Sequence, residues 1–295
     1  MQHISKQLSK EGKKLGFVPT MGALHSGHIS LIEKSIRLAD ITVVSIFVNP
    51  TQFAPHEDFS LYPRPIEDDL EKCKQSGVDI VFLPERSDIY PEGSGIMVDV
   101  GEIGLILEGI TRPHFFNGVA TVVSKLFNIV LPDFAVFGQK DLQQSVIIQR
   151  LIREYKYGIK LIVAPIIRES NGLAMSSRNV YLNTEQKEEA GVLFQSIQKG
   201  IKAVQGGITD RKIINAHVIE HIRKNSNLKI DYVQTLSVED LSSPDHFLPG
   251  EKVAIVIAAF SGKTRLIDNS ITIIPNGYND TLEDEYNGNF KELEL

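Results

Sequence analysis

Leu15-Gly16-Phe17-Val18-Pro19-Thr20-Met21-Gly22-Ala23-Leu24-His25-Ser26-Gly27-His28 begins as an apolar run, turns at a glycine and ends in two histidines. The run 15–19 has the composition of a buried strand. Ile29, Leu31, Ile32, Ser35, Ile36 and Ala39 then recur at helical spacing, so 28–39 reads as a helix. A strand that turns at glycine and re-enters as a helix aims backbone amides and the positive helix end at one spot. In open α/β sheets that spot, beyond the carboxyl ends of the strands, is where ligands bind. Gly22 and Gly27 permit close backbone approach, and His25 and His28, three residues apart, can face one ligand. The stretch therefore points to chemistry on a phosphate, with imidazoles as hydrogen-bond donors. Two histidines capping a turn, or a metal-binding pair, are the plainer readings of the same spacing.

Working outward, 41–48 is rich in β-branched residues, as a strand buried on both faces should be. A polar helix at 68–76, a strand at 79–83, a helix at 119–130, a strand at 134–137, a helix at 141–155 and a strand at 159–167 follow. This alternation predicts an α/β, Rossmann-like parallel-sheet domain over 1–168. Beyond it, helices at 184–204 and 210–224 precede strands at 229–235, 251–260 and 270–274. That clustering predicts a smaller α+β C-terminal domain over 169–275. The Asn-, Gly- and Glu-rich stretch 276–295 reads as a disordered tail.

The 295 residues suffice for one large domain or two ordinary ones. A net charge of −6 without a long basic run argues against a nucleic-acid partner. The single Cys73 can form neither an intramolecular disulfide nor a cysteine zinc site, and reads as a small helix residue. No apolar run reaches the roughly 18–20 residues that span a bilayer. Residues 1–6 carry no apolar signal core, so a reducing cytoplasm is the expected setting.

The 19–28 stretch resembles the HIGH-type signature of nucleotidylyl-transferring α/β enzymes, and Met175-Ser176-Ser177-Arg178 resembles their KMSKS-type loop. Other segments narrow the resemblance: Phe47-Val48-Asn49-Pro50-Thr51-Gln52-Phe53, Tyr62-Pro63-Arg64, Val119-Ala120-Thr121-Val122-Val123-Ser124-Lys125-Leu126, Phe137-Gly138-Gln139-Lys140-Asp141 and Arg265-Leu266-Ile267-Asp268-Asn269. Together, from residue 11 to residue 273, they are similar to the pantothenate synthetase (pantoate–β-alanine ligase) family.

The resemblance implies ATP-dependent joining of pantoate and β-alanine through a pantoyl-adenylate, releasing AMP and pyrophosphate. By it, ATP is bound by Met21, Gly22, Ala23, Leu24, His25, Ser26, Gly27 and His28, and by Gly138, Gln139, Lys140 and Asp141. The backbone of Ile167 and the loop Met175, Ser176, Ser177 and Arg178 complete the nucleotide site. Gln52 and Gln144 hold pantoate, and Arg112 matches a substrate-site position. Catalysis falls to His28, the family's proton donor, with His25, Lys140 and Arg178. These residue types suit their tasks. An amide reads a hydroxyl or carboxylate without adding charge, and hydroxyls with an Arg fork suit departing pyrophosphate. Closure of the second domain would carry the 175–178 loop onto ATP. Asp68 and Asp69 match an acidic pair associated with Mg²⁺, the implied cofactor, on the triphosphate. The same pair reads equally well as charge at a helix N-terminus. The implied assembly is a homodimer, with small-molecule substrates and no membrane partner. Two rival readings are another HIGH-motif nucleotidyltransferase and a non-catalytic nucleotide-binding relative.

Two departures from the family pattern stand out. Where it has Arg-Pro-Gly-His-Phe-Arg-Gly, this chain has Arg112-Pro113-His114-Phe115-Phe116-Asn117-Gly118, so no role carries over to His114 or Asn117. Relatives also place a first strand and part of a helix ahead of the segment matching 9–14, where fewer residues stand here. Either a shortened sheet edge is tolerated, leaving the strand at 15–19 short of support, or the start lies upstream.

Overall fold

Leu15–Thr20 is the middle strand, β1, of a five-stranded parallel sheet in the computed structural model, which describes residues 1–53, 59–60 and 62–276. Its companions are β2 (Ile41–Ile46), β3 (Ile80–Phe82), β4 (Phe134–Gly138) and β5 (Lys160–Ala164), in the order β3-β2-β1-β4-β5. β1 runs in register with β2 from Leu15↔Ile41 to Thr20↔Ile46, and pairs with β4 at Gly16↔Phe134 and Phe17↔Ala135. The strand expected to be short of support is therefore held on both sides, because its neighbours come from later in the chain.

Side chains alternate across the sheet. Phe17 and Val43 pack on one face with Val119, Phe127 and Ile148, whereas Val18 and Val44 pack on the other with Leu24, Ile32 and Cys73. The first face carries α6 (Phe115–Val130) and α7 (Leu142–Glu154), and the second carries α2 (Ser26–Ile36) and α3 (Ile66–Gln75). Burial on both faces explains why β1, β2 and β4 read as nearly unbroken apolar runs. A helix that the periodicity did not signal, α1 (Gln2–Lys10), lies against α6 and β1. Two four-residue helices, α4 (Arg86–Ile89) and α5 (Glu108–Thr111), interrupt the long connection from β3 to α6.

This first unit comprises Met1–Ile167 together with Met175–Ser177. The second unit holds Arg168–Ala174 and the chain from Arg178 onward. In it α8 (Thr184–Ala190), α9 (Val192–Gln205) and α10 (Arg211–Asn225) accompany an antiparallel sheet of β6 (Lys229–Ser237), β7 (Lys252–Ser261) and β8 (Thr264–Ile273). Leu193, Ile197, Ile214 and Val218 bury against Val253, Ile255 and Ile257, giving the α+β arrangement. The single helix expected over 184–204 is in fact two, divided at Gly191. There a Cβ would stand 2.6 Å from the carbonyl oxygen of Asn171, so the backbone passes that loop too closely for a side chain. Among the described residues no helix is long and apolar enough to cross a membrane. The stretch read as a disordered tail lies, from 277 on, outside the described residues.

Candidate active site

β1 ends at Thr20, whose hydroxyl donates to Ser45 O at 2.8 Å and accepts from the Gly22 amide at 3.2 Å. The chain then turns left-handed through Gly22, at φ 80°, and Ala23, at φ 51°. A left-handed alanine costs about 1–2 kcal/mol, so something must hold it. Asp69 of α3 does: its fully buried carboxylate accepts from the Ala23 amide at 2.8 Å and the Leu24 amide at 2.7 Å.

His25 caps α2. Its Nδ1 accepts from the Gly27 amide at 3.1 Å, while its own amide donates to His28 Nδ1 at 3.3 Å. A Cβ on Gly27 would lie 2.8 Å from His25 Cε1, so the ring can fold over the first turn only because Gly27 has none. The two rings sit 4.1 Å apart between centroids. With each Nδ1 occupied as an acceptor, the proton of each neutral imidazole belongs on Nε2. Burial lowers His25 to about 4, helped by the nearby Lys140 charge and opposed by Asp141. Burial likewise lowers His28 to about 3, with His25 and Lys140 pushing the same way. Both histidines are therefore neutral Nε2–H donors at physiological pH.

Two expectations need correction. The amides of Gly22, Ala23, Leu24, His25 and Gly27 all end on protein acceptors, so these five are not free to bind a phosphate. The acidic pair also divides. Asp69 is buried against two amides, whereas exposed Asp68 forms an ion pair with Lys72 at 2.6 Å. No group of three or more His, Cys, Asp or Glu side chains among the described residues could hold a metal ion. Asp69 does not fit as a magnesium ligand, and Asp68 fits only as one contact to an ion already carried by a triphosphate.

After β2 the chain enters the short turn Pro50–Gln52. Asn49, buried, donates from Nδ2 to Gln52 Oε1 at 3.2 Å and to Gly118 O at 3.1 Å. Its Oδ1 accepts from the Thr51 hydroxyl at 3.0 Å and the Tyr90 hydroxyl at 2.8 Å. Gln52 Nε2 points at the Met21 sulfur, and Arg112 donates to Gln52 O at 3.0 Å while stacking 3.9 Å over the Phe115 ring. Gln52, Arg112 and Met21 thus come together. Asn49, which had no assigned role, organises them; its sequence signals were its place in the 47–53 segment and the Asn-Pro step that starts a turn.

Gln144 lies half-buried in the first turn of α7. Its neighbour Gln143 pins the loop leading to Arg112, donating to Ile103 O and Ile106 O at 2.8 Å each and accepting from the Glu108 amide at 3.2 Å. In the altered loop, His114 stands exposed at φ 70°, the position where the family pattern has glycine. Histidine tolerates that region better than most residues. Asn117 accepts from the Val100 amide at 3.1 Å and donates to Asp99 at 3.3 Å, so the loop is tied down in a different way.

β4 ends at Gly138, and the turn Gln139–Asp141 places the Lys140 charge within electrostatic reach of both imidazoles. Ile167 O accepts from the Met175 amide at 2.9 Å, and a Cβ on Gly27 would lie 3.8 Å from Met175 Cβ. Met175 thus lies beside the histidine turn, and Ser176 and Ser177 follow it in the chain. Arg178 is exposed and belongs to the second unit, where buried Asn179 fastens the chain by donating to Glu169 at 2.8 Å and Ala174 O at 3.1 Å.

The family model described as pantoate-beta-alanine ligase matches residues 1–271. The chain belongs to the pantoate–β-alanine ligase family. It is 48% identical over 263 residues to the pantothenate synthetase of Carboxydothermus hydrogenoformans, covering 89% of this chain and 92% of that protein. The solved pantothenate synthetase of Thermus thermophilus superposes with a TM-score of 0.82 at 38% identity, covering 87% of this chain and 92% of that one. The Francisella tularensis pantoate-beta-alanine ligase, solved with β,γ-ATP and β-alanine, gives 0.73 at 35% identity over 92% of this chain and 94% of that one.

The depressed histidines make a stability prediction for the ligase. The unfolded chain binds protons on both histidines below about pH 6.5, whereas the folded chain binds them only near pH 4 and 3. Stability from the neutral pair is therefore fully present above 6.5 and falls as the pH drops towards the folded values. Each imidazole contributes a slope of up to about 1.4 kcal/mol per pH unit. Urea unfolding between about pH 5.0 and 6.5 (a window set by the same linkage) should show stability rising with pH, and less steeply in His28→Asn. An identical slope in the variant would contradict the neutral assignment.

Proposed function

We propose that this ligase activates pantoate with ATP at the histidine turn of the first unit and passes the pantoyl group to β-alanine. A carboxylate oxygen of pantoate attacks the α-phosphorus of ATP, and pyrophosphate leaves. The amine of β-alanine then attacks the acyl carbon of the pantoyl-adenylate, the C–O bond to phosphate breaks, and AMP leaves with pantothenate formed. The observation that carries this reading is the pair of neutral Nε2–H donors beside the Lys140 charge. They stabilise negative charge as it grows on the α-phosphate without a proton having to be placed first. No protein nucleophile is required.

Gln52 and Arg112 supply the pantoate end, with Gln144 as its second contact. Gly138, Gln139 and Asp141 hold the nucleotide, Ile167 reads the adenine through its backbone, and Ser176, Ser177 and Arg178 hold the departing pyrophosphate. Magnesium would come with the triphosphate and offset its charge, and the exposed Asp68 carboxylate is the group of this chain that would meet it. The family resemblance supports a cytoplasmic homodimer.

The test is pantoate-dependent exchange of labelled pyrophosphate into ATP, followed by AMP release on adding β-alanine. Both should occur. Exchange without amide formation would move the assignment to a nucleotidyltransferase, and no exchange would reduce the chain to a non-catalytic nucleotide binder.

A further inference from the structure

We propose that Asp69 and Lys72 are positioning residues of the ligation reaction, which fix the backbone turn that presents His25 and His28, and that Asp69 is not a ligand of the metal. The inference rests on the reading that the two histidines face the α-phosphate. Gly22 and Ala23 are successive residues with positive φ in a tight turn, and the amides of Ala23 and Leu24 that follow converge on one anion. Here that anion is part of the protein. The Asp69 oxygens each take one amide, Ala23 at 2.8 Å and Leu24 at 2.7 Å. A Cβ on Gly22 would stand 2.8 Å from Asp69 Oδ2 and 3.0 Å from Ile46, so the carboxylate fills its niche.

Lys72, three residues further along α3, holds the same turn by a carbonyl. Its ammonium donates to Leu24 O at 2.7 Å and pairs with Asp68 at 2.6 Å. The peptide joining Leu24 to His25 is therefore held at both ends. Lys72 holds its carbonyl, and its N–H donates to His28 Nδ1. A cation on the carbonyl polarises the peptide and strengthens its N–H as a donor. That N–H keeps the His28 proton on Nε2. α3 thus sets the tautomer of a residue on another helix, through one peptide bond.

Three variants test this, with wild-type ligation measured alongside so that loss of the ligation reading is separately visible. Lys72→Met should lower kcat about tenfold at unchanged KM for pantoate, because a less ordered peptide lets the ring tautomer drift. In the imidazole ¹⁵N spectrum the His28 signals should move from the Nε2–H form towards a mixture. Asp69→Asn keeps one acceptor but turns an NH₂ towards the other amide. It should lower kcat about 10²-fold, the loss that an ångström of misplacement causes, and shift the Ala23 and Leu24 amide resonances. Its magnesium half-saturation should stay within twofold of wild type, and excess magnesium should not restore the rate. Asp68→Asn should leave the amide resonances in place. The proposal fails if excess magnesium rescues Asp69→Asn. It fails equally if Lys72→Met keeps wild-type kcat and the wild-type His28 tautomer.

Discussion

His28→Ala should reduce pantoate-dependent pyrophosphate exchange about 10³-fold, the upper range for removing one donor aimed at developing charge. The substitution does two things, and they can be separated. It removes the Nε2–H edge, and it strips the His25 amide of its acceptor at 3.3 Å. An orphaned amide costs about 1–3 kcal/mol, so alanine alone would confuse a folding defect with a chemical one. His28→Asn resolves this. Its Oδ1 lies where Nδ1 was and can accept from His25, but nothing replaces the outward N–H. Asparagine should therefore keep most of the stability lost by alanine, measured by urea unfolding, and lose nearly as much rate. His28→Gln is the converse, restoring an outward N–H without the cap. Near-normal turnover in His28→Asn would remove the Nε2–H donor from the mechanism.

That separation between cap and donor could not be read from the residue string, and the reason is physical. Period and composition report which side chains must leave water. They placed β1, β2, β4 and the helices around them within a few residues, because those segments are buried on a face or on both. They missed α1, whose nine residues carry only Ile4 and Leu8 as apolar side chains, with Ile4 itself exposed. They also could not divide Asp68 from Asp69. Successive helical residues point about 100° apart, so one carboxylate faces a turn of the core and the other faces water. Which is which depends on where α3 docks. The 101–117 loop was opaque for a related reason: Gln143, Asp99 and Val100 fix it through contacts distant in sequence. The candidate site residues stood out in the sequence as motifs. The tautomers and the buried braces behind them did not, because those are set by backbone groups that every sequence possesses.

Gly118→Ala should lower kcat/KM for pantoate about 10²-fold and cost about 1–3 kcal/mol of stability, the usual penalty of overpacking. A Cβ at 118 would stand 2.4 Å from Thr51 O, 2.7 Å from Thr51 C and 2.9 Å from Gln52 N. All three are backbone atoms, so no side chain can swing aside. Either α6 or the Pro50–Gln52 turn must move. The turn is the softer of the two, since α6 continues through buried Val119, Ala120, Val122 and Val123. Displacing it carries Gln52 away from Arg112, whose bond to Gln52 O at 3.0 Å fixes their spacing. It also strains the bond from Asn49 to Gly118 O, and with it the contact from Asn49 to Gln52. The loss should fall on pantoate recognition, with KM for pantoate raised and KM for ATP little changed. That is the opposite split from His28→Asn, where kcat falls. Gly158→Ala is the matched control, because a Cβ there meets nothing within 4 Å. If Gly118→Ala kept a wild-type KM for pantoate while losing stability, the 49–52 turn would be a packing element only, and Gln52 would have to leave the pantoate site.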